Sequence, residues 1–250
     1  MESSLIISIK IPLLSILERK ISSTKVLSWC EKNLARYAIL VLDMLNDFIK
    51  GSLKCERALE IIPNIRTLLD FARNAQIPIF YCVDEHLPTD RYELDLWGPH
   101  AMKGTIGQQI IEELKPHKND SVITKRTYSA FDRTKLDSAL TSAYDGKGVD
   151  TIILTGVHTH ICAKHTSYDA FTRGLKIVVA EDGMQAFSEE EHLSGIEYIR
   201  KIYGADIQKI DKIIELLTVN TDDQNQVKRE YLYQVFNYDQ VTIIQTSATT

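Results

Sequence analysis

Cys162 lies in Gly156-Val-His-Thr-His-Ile-Cys162, a segment leading from an apolar run into a helical stretch. A thiol at a helix start meets backbone N–H groups and the positive end of the helix dipole. Both favour the thiolate, and the same groups can hold an oxyanion. The plain alternative is a buried, inert cysteine on the helix's inner face. A nucleophilic thiol needs a proton acceptor and a charge partner. Asp43 and Lys125 each close an apolar run, so a sheet rim could bring them beside the thiol. A purely structural ion pair uses the same two residue types. His165 offers a Cys–His pair, and His158, His160 and Cys162 offer ligands in a row. Alternate residues in a tight turn point apart, however, and no second cluster completes a tetrahedral site. A separate constellation is Asp84-Glu-His86, followed by His100. One carboxylate and two imidazoles suit Zn²⁺ or another divalent metal, with positions left open for water or substrate. Asp-x-His on an extended segment puts both side chains on one face. Two surface loop histidines are the alternative there.

These residues need elements to position them. Tyr37–Asp43, Ile77–Val83, Ser121–Thr124, Thr151–Thr155 and Lys176–Ala180 are short apolar runs that suit buried parallel strands, and Ile207–Ile210 suits a sixth, short one. Helical spacing marks Ile61 to Ala72, Thr134 to Tyr144, His160 to Arg173 (closed by Gly174) and Glu189 to Tyr203. Pro63 is tolerable only near a first turn. Residues 84–119 carry many Pro, Gly and His and predict a long loop, with one short helix near Gly107–Leu114. Alternating strands and helices predict an α/β fold: a three-layer α/β/α sandwich with a mainly parallel central sheet. In such sheets ligands sit beyond the carboxyl ends of the strands, where Asp43, Asp84, Lys125 and the Gly156–Cys162 turn all fall. The boundaries predicted are an N-terminal extension over 1–36, the domain over 37–217 and a C-terminal tail over 218–250.

The 250 residues include 29 Lys plus Arg against 34 Asp plus Glu, a net charge of −5. That balance argues against a nucleic-acid partner, whose phosphates are bound by clustered cations. Leu5–Leu17 is broken by Lys10, Pro12 and serines. It falls short of the roughly 20 apolar residues a bilayer demands, so no membrane partner is expected. Cys30, Cys55, Cys82 and Cys162 show no CxxC spacing, and a reducing cytoplasm is the compartment they suggest.

Four patches together resemble the isochorismatase-like cysteine hydrolases, and among them the archaeal-type nicotinamidases. They are Val41-Leu-Asp-Met-Leu-Asn-Asp-Phe48; Asp84-Glu-His86 with Leu96-Trp-Gly-Pro-His100 and Lys103-Gly-Thr105; Lys125-Arg-Thr-Tyr-Ser-Ala-Phe131; and Thr155-Gly-Val-His-Thr-His-Ile-Cys162 running on to Ala170. The resemblance covers about residues 37–210. It implies a triad with Asp43 as general base, Cys162 as nucleophile and Lys125 as electrostatic support. The reaction implied is carboxamide hydrolysis through a thioester. It also implies a cis peptide between Val157 and His158, with the N–H groups of His158 and Cys162 facing the oxyanion. A divalent metal, zinc foremost, would sit on Asp84, His86 and His100, and Phe48 and Trp97 would flank a flat ring. The substrate implied is nicotinamide, or else an N-carbamoyl, ureido or isochorismate-type compound; a catalytically silent binding member is the third reading. A homo-oligomer is expected. Two positions depart from the family pattern: Glu85 stands where many members have an aromatic residue, and His158 where many nicotinamidases have a small one.

Overall fold

In the computed structural model, which describes residues 34–221, the central strand is β1 (Tyr37–Leu42), buried at every position. The elements that follow are α1 (Asn46–Ile49), α2 (Ala58–Asn74), β2 (Ile79–Asp84), α3 (Arg91–Trp97), β3 (Ser121–Lys125) and α4 (Leu136–Ser142). Then come β4 (Thr151–Val157), α5 (Lys164–Thr172), β5 (Lys176–Gln185), α6 (Glu189–Tyr203), β6 (Asp206–Gln208) and α7, which starts at residue 210. The sheet order is β3-β2-β1-β4-β5-β6, and every pairing is parallel. The chain steps outward from β1 to β3, then returns to β4 on β1's other side. The carboxyl ends of β1 and β4 therefore flank the point where the winding reverses, the place where such sheets bind ligands.

The two-residue period of the strands sorts the core into two layers. Ile39, Val41, Ile79, Tyr81 and Ile153 face α2 and the Ile210, Ile213 and Leu217 side chains of α7. Ala38, Leu40, Leu42, Phe80, Ile152 and Leu154 face the other way. There they meet Leu136 and Leu140 of α4, Ala170 of α5, and Ile196 and Ile199 of α6. This is the α/β/α sandwich expected, with the sheet wholly parallel. Residues Ala35–Thr218 form one compact unit. The readings made for the N-terminal extension, the polar-aromatic tail and Cys30 lie outside the described residues, apart from the residues next to that unit. Among the described residues, no helix is long and apolar enough to cross a membrane.

Four local readings change. Residues 91–97 form α3 inside the expected loop, while the Gly107–Leu114 stretch holds only a 3₁₀ turn, Glu112–Leu114. α2 begins at Ala58, so Pro63 falls in its second turn. There Pro63 has no N–H to give to Leu59 O, and the helix start upstream is closed by three-residue bonds, Leu59 N–H on Glu56 O and Glu60 N–H on Arg57 O. The helix expected from His160 opens with a wide π turn, Thr159–Ala163, before α5 proper. Strand six ends at Gln208, and Ile210 belongs to α7 instead.

Candidate active site

The register of the sheet brings the expected triad together. Leu42 pairs with Gly156 on β4 and with Cys82 on β2, and Asp84 pairs with Lys125 on β3. Asp43, one residue past β1, turns with φ 52, and its N–H donates to Cys82 O at 3.0 Å. That left-handed turn aims the carboxylate along the rim. Asp43 Oδ1 accepts from the Asp84 N–H at 2.8 Å. Lys125 Nζ stands 2.8 Å from Asp43 Oδ2, 2.6 Å from Asp84 Oδ1 and 3.6 Å from Cys162 Sγ. All four side chains are buried. Gly156 is needed for this approach, since at its φ of 107 a Cβ would lie 2.1 Å from Leu42 O.

One ammonium between two carboxylates leaves the cluster net negative, and this decides where protons rest. Burial would lower the Lys125 pKa, but Asp43 and Asp84 outweigh it and hold the amine charged. Burial and then the neighbouring Asp84 charge raise Asp43 to about 6, against the pull of Lys125. Burial would raise Asp84 too, yet Lys125 and His86 bring it below the usual carboxylate range. Burial pushes the Cys162 thiol well up, and the two carboxylates add to this against Lys125. The helix start therefore does not yield the thiolate expected of it. Burial favours the thiol, so attack by this sulfur would need a base beside it. Asp43 is the carboxylate placed to serve as one: its Oδ2 is buried and ion-paired with the ammonium at 2.8 Å, without hydrogen-bond geometry.

The second constellation also assembles. Donor atoms of Asp84, His86, Glu93 and His100 lie within 4.8 Å of one another, all on buried side chains. His100 Nδ1 meets Gly98 O at 2.8 Å, which makes Nδ1 the protonated nitrogen and leaves Nε2 with a lone pair. Both His86 nitrogens are buried without a hydrogen bond: Nδ1 faces Asp90 Oδ2 at 3.5 Å, and Nε2 faces Asp84 Oδ2 at 3.8 Å and Glu93 Oε2 at 3.6 Å. Two imidazoles and two carboxylates, with orphaned nitrogen among them, fit a divalent transition metal, and zinc is one that such a set accepts. The second group of possible ligands, Asp43, Asp84 and Cys162, already surrounds the Lys125 ammonium, which would repel a cation. Glu93 is the residue that sequence reasoning missed. Asp90-x-x-Glu93 has the spacing of a helix N-terminus, and reading it so would have put Glu93 in the first turn of α3, back over His86.

A narrow cavity joins the two constellations. Phe48, Trp97, Tyr128, His158 and Phe187 wall it, and Asp84, Glu93, His100 and Cys162 open onto it. Phe48 and Trp97, expected to flank a flat ring, both line this cavity. Tyr128 and Phe187 are additions: Trp97 Nε1 donates to the Tyr128 hydroxyl at 3.0 Å, and Phe187 stacks on Trp97 at 6.1 Å. The Val157–His158 peptide is cis. His165 turns away, with its Nδ1 on Ile161 O at 2.8 Å, so it forms no dyad with Cys162. Glu85 faces the opposite way from Asp84 and pairs with Lys103 at 3.0 Å.

Known proteins match this arrangement. The isochorismatase domain family matches residues 37–211. Enterobactin synthase component B of Escherichia coli (strain K12) is 33% identical over 168 residues, covering 66% of this chain and 58% of that protein; the chain thus spans less than two thirds of that relative's length. Nicotinamidase 3 of Arabidopsis thaliana is 34% identical over 160 residues, 62% of this chain and 76% of that protein. The crystal structure of N-carbamoylsarcosine amidase from Thermoplasma acidophilum superposes with a TM-score of 0.64 at 34% identity, covering 70% of this chain and 97% of that one. With its parallel six-stranded sheet and a family match spanning all six strands, the chain belongs to the isochorismatase-like hydrolases.

Proposed function

We propose that this hydrolase cleaves a small carboxamide, nicotinamide first among candidates, releasing ammonia through a cysteine thioester. The observation that carries the reading is one cavity shared by a buried Asp43–Lys125–Cys162 cluster and a buried Asp–His–Glu–His donor set. Asp43 takes the thiol proton and Cys162 Sγ attacks the amide carbon. The amide oxygen gains the charge, facing the N–H groups of His158 and Cys162. As the C–N bond breaks, Asp43 returns the proton to the departing nitrogen, which leaves as ammonia. Asp43 then takes a proton from water, the hydroxide oxygen attacks the thioester carbon, and the C–S bond breaks to give the acid as Asp43 returns that proton to the Cys162 sulfur. Lys125 stays charged throughout and offsets the negative charge that moves between Asp43 and Cys162. A divalent ion held by Asp84, His86, Glu93 and His100 would supply a Lewis-acid contact for a substrate nitrogen. Phe48 and Trp97 would bracket the ring.

The resemblance to an N-carbamoylsarcosine amidase supports a second reading, an N-carbamoyl substrate cleaved by the same cluster. Ammonia release from nicotinamide by wild type and Cys162→Ala, each after chelation and again after Zn²⁺ is restored, tests the first. Release that needs both the thiol and the metal is expected. No release from metal-loaded wild type, with release from a carbamoyl amide, moves the assignment to the second.

A further inference from the structure

Among the described residues, the buried side-chain atoms that lack a hydrogen-bond partner include Asp43 Oδ2, both His86 nitrogens and His158 Nε2. The proposed reaction uses the first as a base and the second pair toward a metal. His158 Nε2 remains. His158 is 2% exposed and lines the cavity that holds Cys162. Its ring packs on Phe187 at a tilt of 30°, with centroids 4.0 Å apart, and meets Phe48 edge-on at 5.6 Å. A carbocycle would make the same stack without burying a nitrogen. A buried polar atom left unmade destabilises the free protein, so its retention here needs an explanation.

We infer that His158 is a specificity residue, whose Nε2 takes a hydrogen bond with a polar atom on the acyl part of the substrate. The preferred substrates are then carboxamides with one heteroatom beyond the scissile amide and beyond the nitrogen facing the donor set. Nicotinamide has no such extra atom. Pyrazinamide and the ring-hydroxylated nicotinamides do, at nearly the same size. Burial holds the imidazole neutral, with its pKa down at about 3. It therefore selects by hydrogen bonding, not by charge, and serves a donor or an acceptor according to its tautomer.

This assignment rests on the carboxamide reading, and one paired experiment separates the two. Wild type and His158→Phe are compared for kcat and KM on nicotinamide, pyrazinamide and the 2-, 5- and 6-hydroxynicotinamides, and for Tm without substrate. Wild type is expected to favour at least one of the heteroatom-bearing amides over nicotinamide by about 10-fold in kcat/KM. His158→Phe is expected to lose that preference, mainly through KM. It is also expected to melt about 2 °C or more higher, because the unpartnered nitrogen is gone. A merely structural histidine would give the opposite Tm change. An unchanged rank order in the variant, or a lower Tm, overturns the assignment while leaving carboxamide hydrolysis in place. No ammonia from any of these amides in metal-loaded wild type overturns both.

Discussion

Lys125 carries one positive charge between two buried carboxylates, 2.8 Å from Asp43 and 2.6 Å from Asp84. Removing one partner of a buried charge set costs far more than the set contributes, because the remaining charges lose their compensation. Lys125→Met should therefore lower stability by about 3–5 kcal/mol, read from the urea midpoint. A loss under ~1 kcal/mol would show that the two carboxylates find solvent or take up protons cheaply. Cys162→Ala removes a neutral thiol from the same cluster, so its fold should persist. Its ammonia release should fall by at least ~10³-fold, because the residual rate then rests on positioning alone. Rates near wild type would eliminate the thioester route. At this scale much of the candidate site was legible in the chain. Asp43, Asp84 and Lys125 stand at the ends of apolar runs, where strand ends must fall, and Cys162 stands in the turn that follows another. Glu93 was marked only by the Asp90-x-x-Glu93 spacing, because nothing around it repeats at an apolar period.

α3 shows why an element can hide. Its one buried side chain is Glu93, while Tyr92 and Leu96 are exposed. A helix that packs a carboxylate over a donor cluster has no hydrophobic stripe to reveal it. The strands announced themselves because both faces of a parallel sheet are covered. The capping box of α6, in which Ser188 Oγ accepts from Glu191 N–H at 3.2 Å and the Glu191 carboxylate accepts from Ser188 N–H at 2.9 Å, was also readable as Ser-x-x-Glu. The pairing of β1 with β4 was not, since strand order is a long-range fact. Gly156 is its local requirement. Gly156→Ala would set a methyl 2.1 Å from Leu42 O at a φ few side chains adopt. The strand would have to move off β1, carrying the Cys162 turn from Asp43. Stability should fall by on the order of 3 kcal/mol. The rate of Cys162 alkylation should change with it, because the thiol's surroundings shift. A variant with wild-type melting and alkylation would show that β4 yields without cost.

For the molecule as a whole, the donor set links cofactor to stability. Asp84 ends β2, His86 follows it, Glu93 comes from α3, and His100 lies past α3's end. These segments converge on one point with two imidazole nitrogens unpartnered. A ligand that binds only the folded chain stabilises it by about 2.7 kcal/mol at a free concentration 100 times its Kd. For a domain of this size that corresponds to a Tm rise of about 5–10 °C. Thermal melts should therefore shift upward by that amount when Zn²⁺ is added after chelation. They should not shift in His86→Gln, which removes an imidazole but leaves the triad. An equal rise in both proteins would place the metal elsewhere. No rise in either would leave the buried carboxylates and imidazoles of the set compensating one another. The proposed catalysis would then rest on Asp43, Lys125 and Cys162 with the aromatic walls alone.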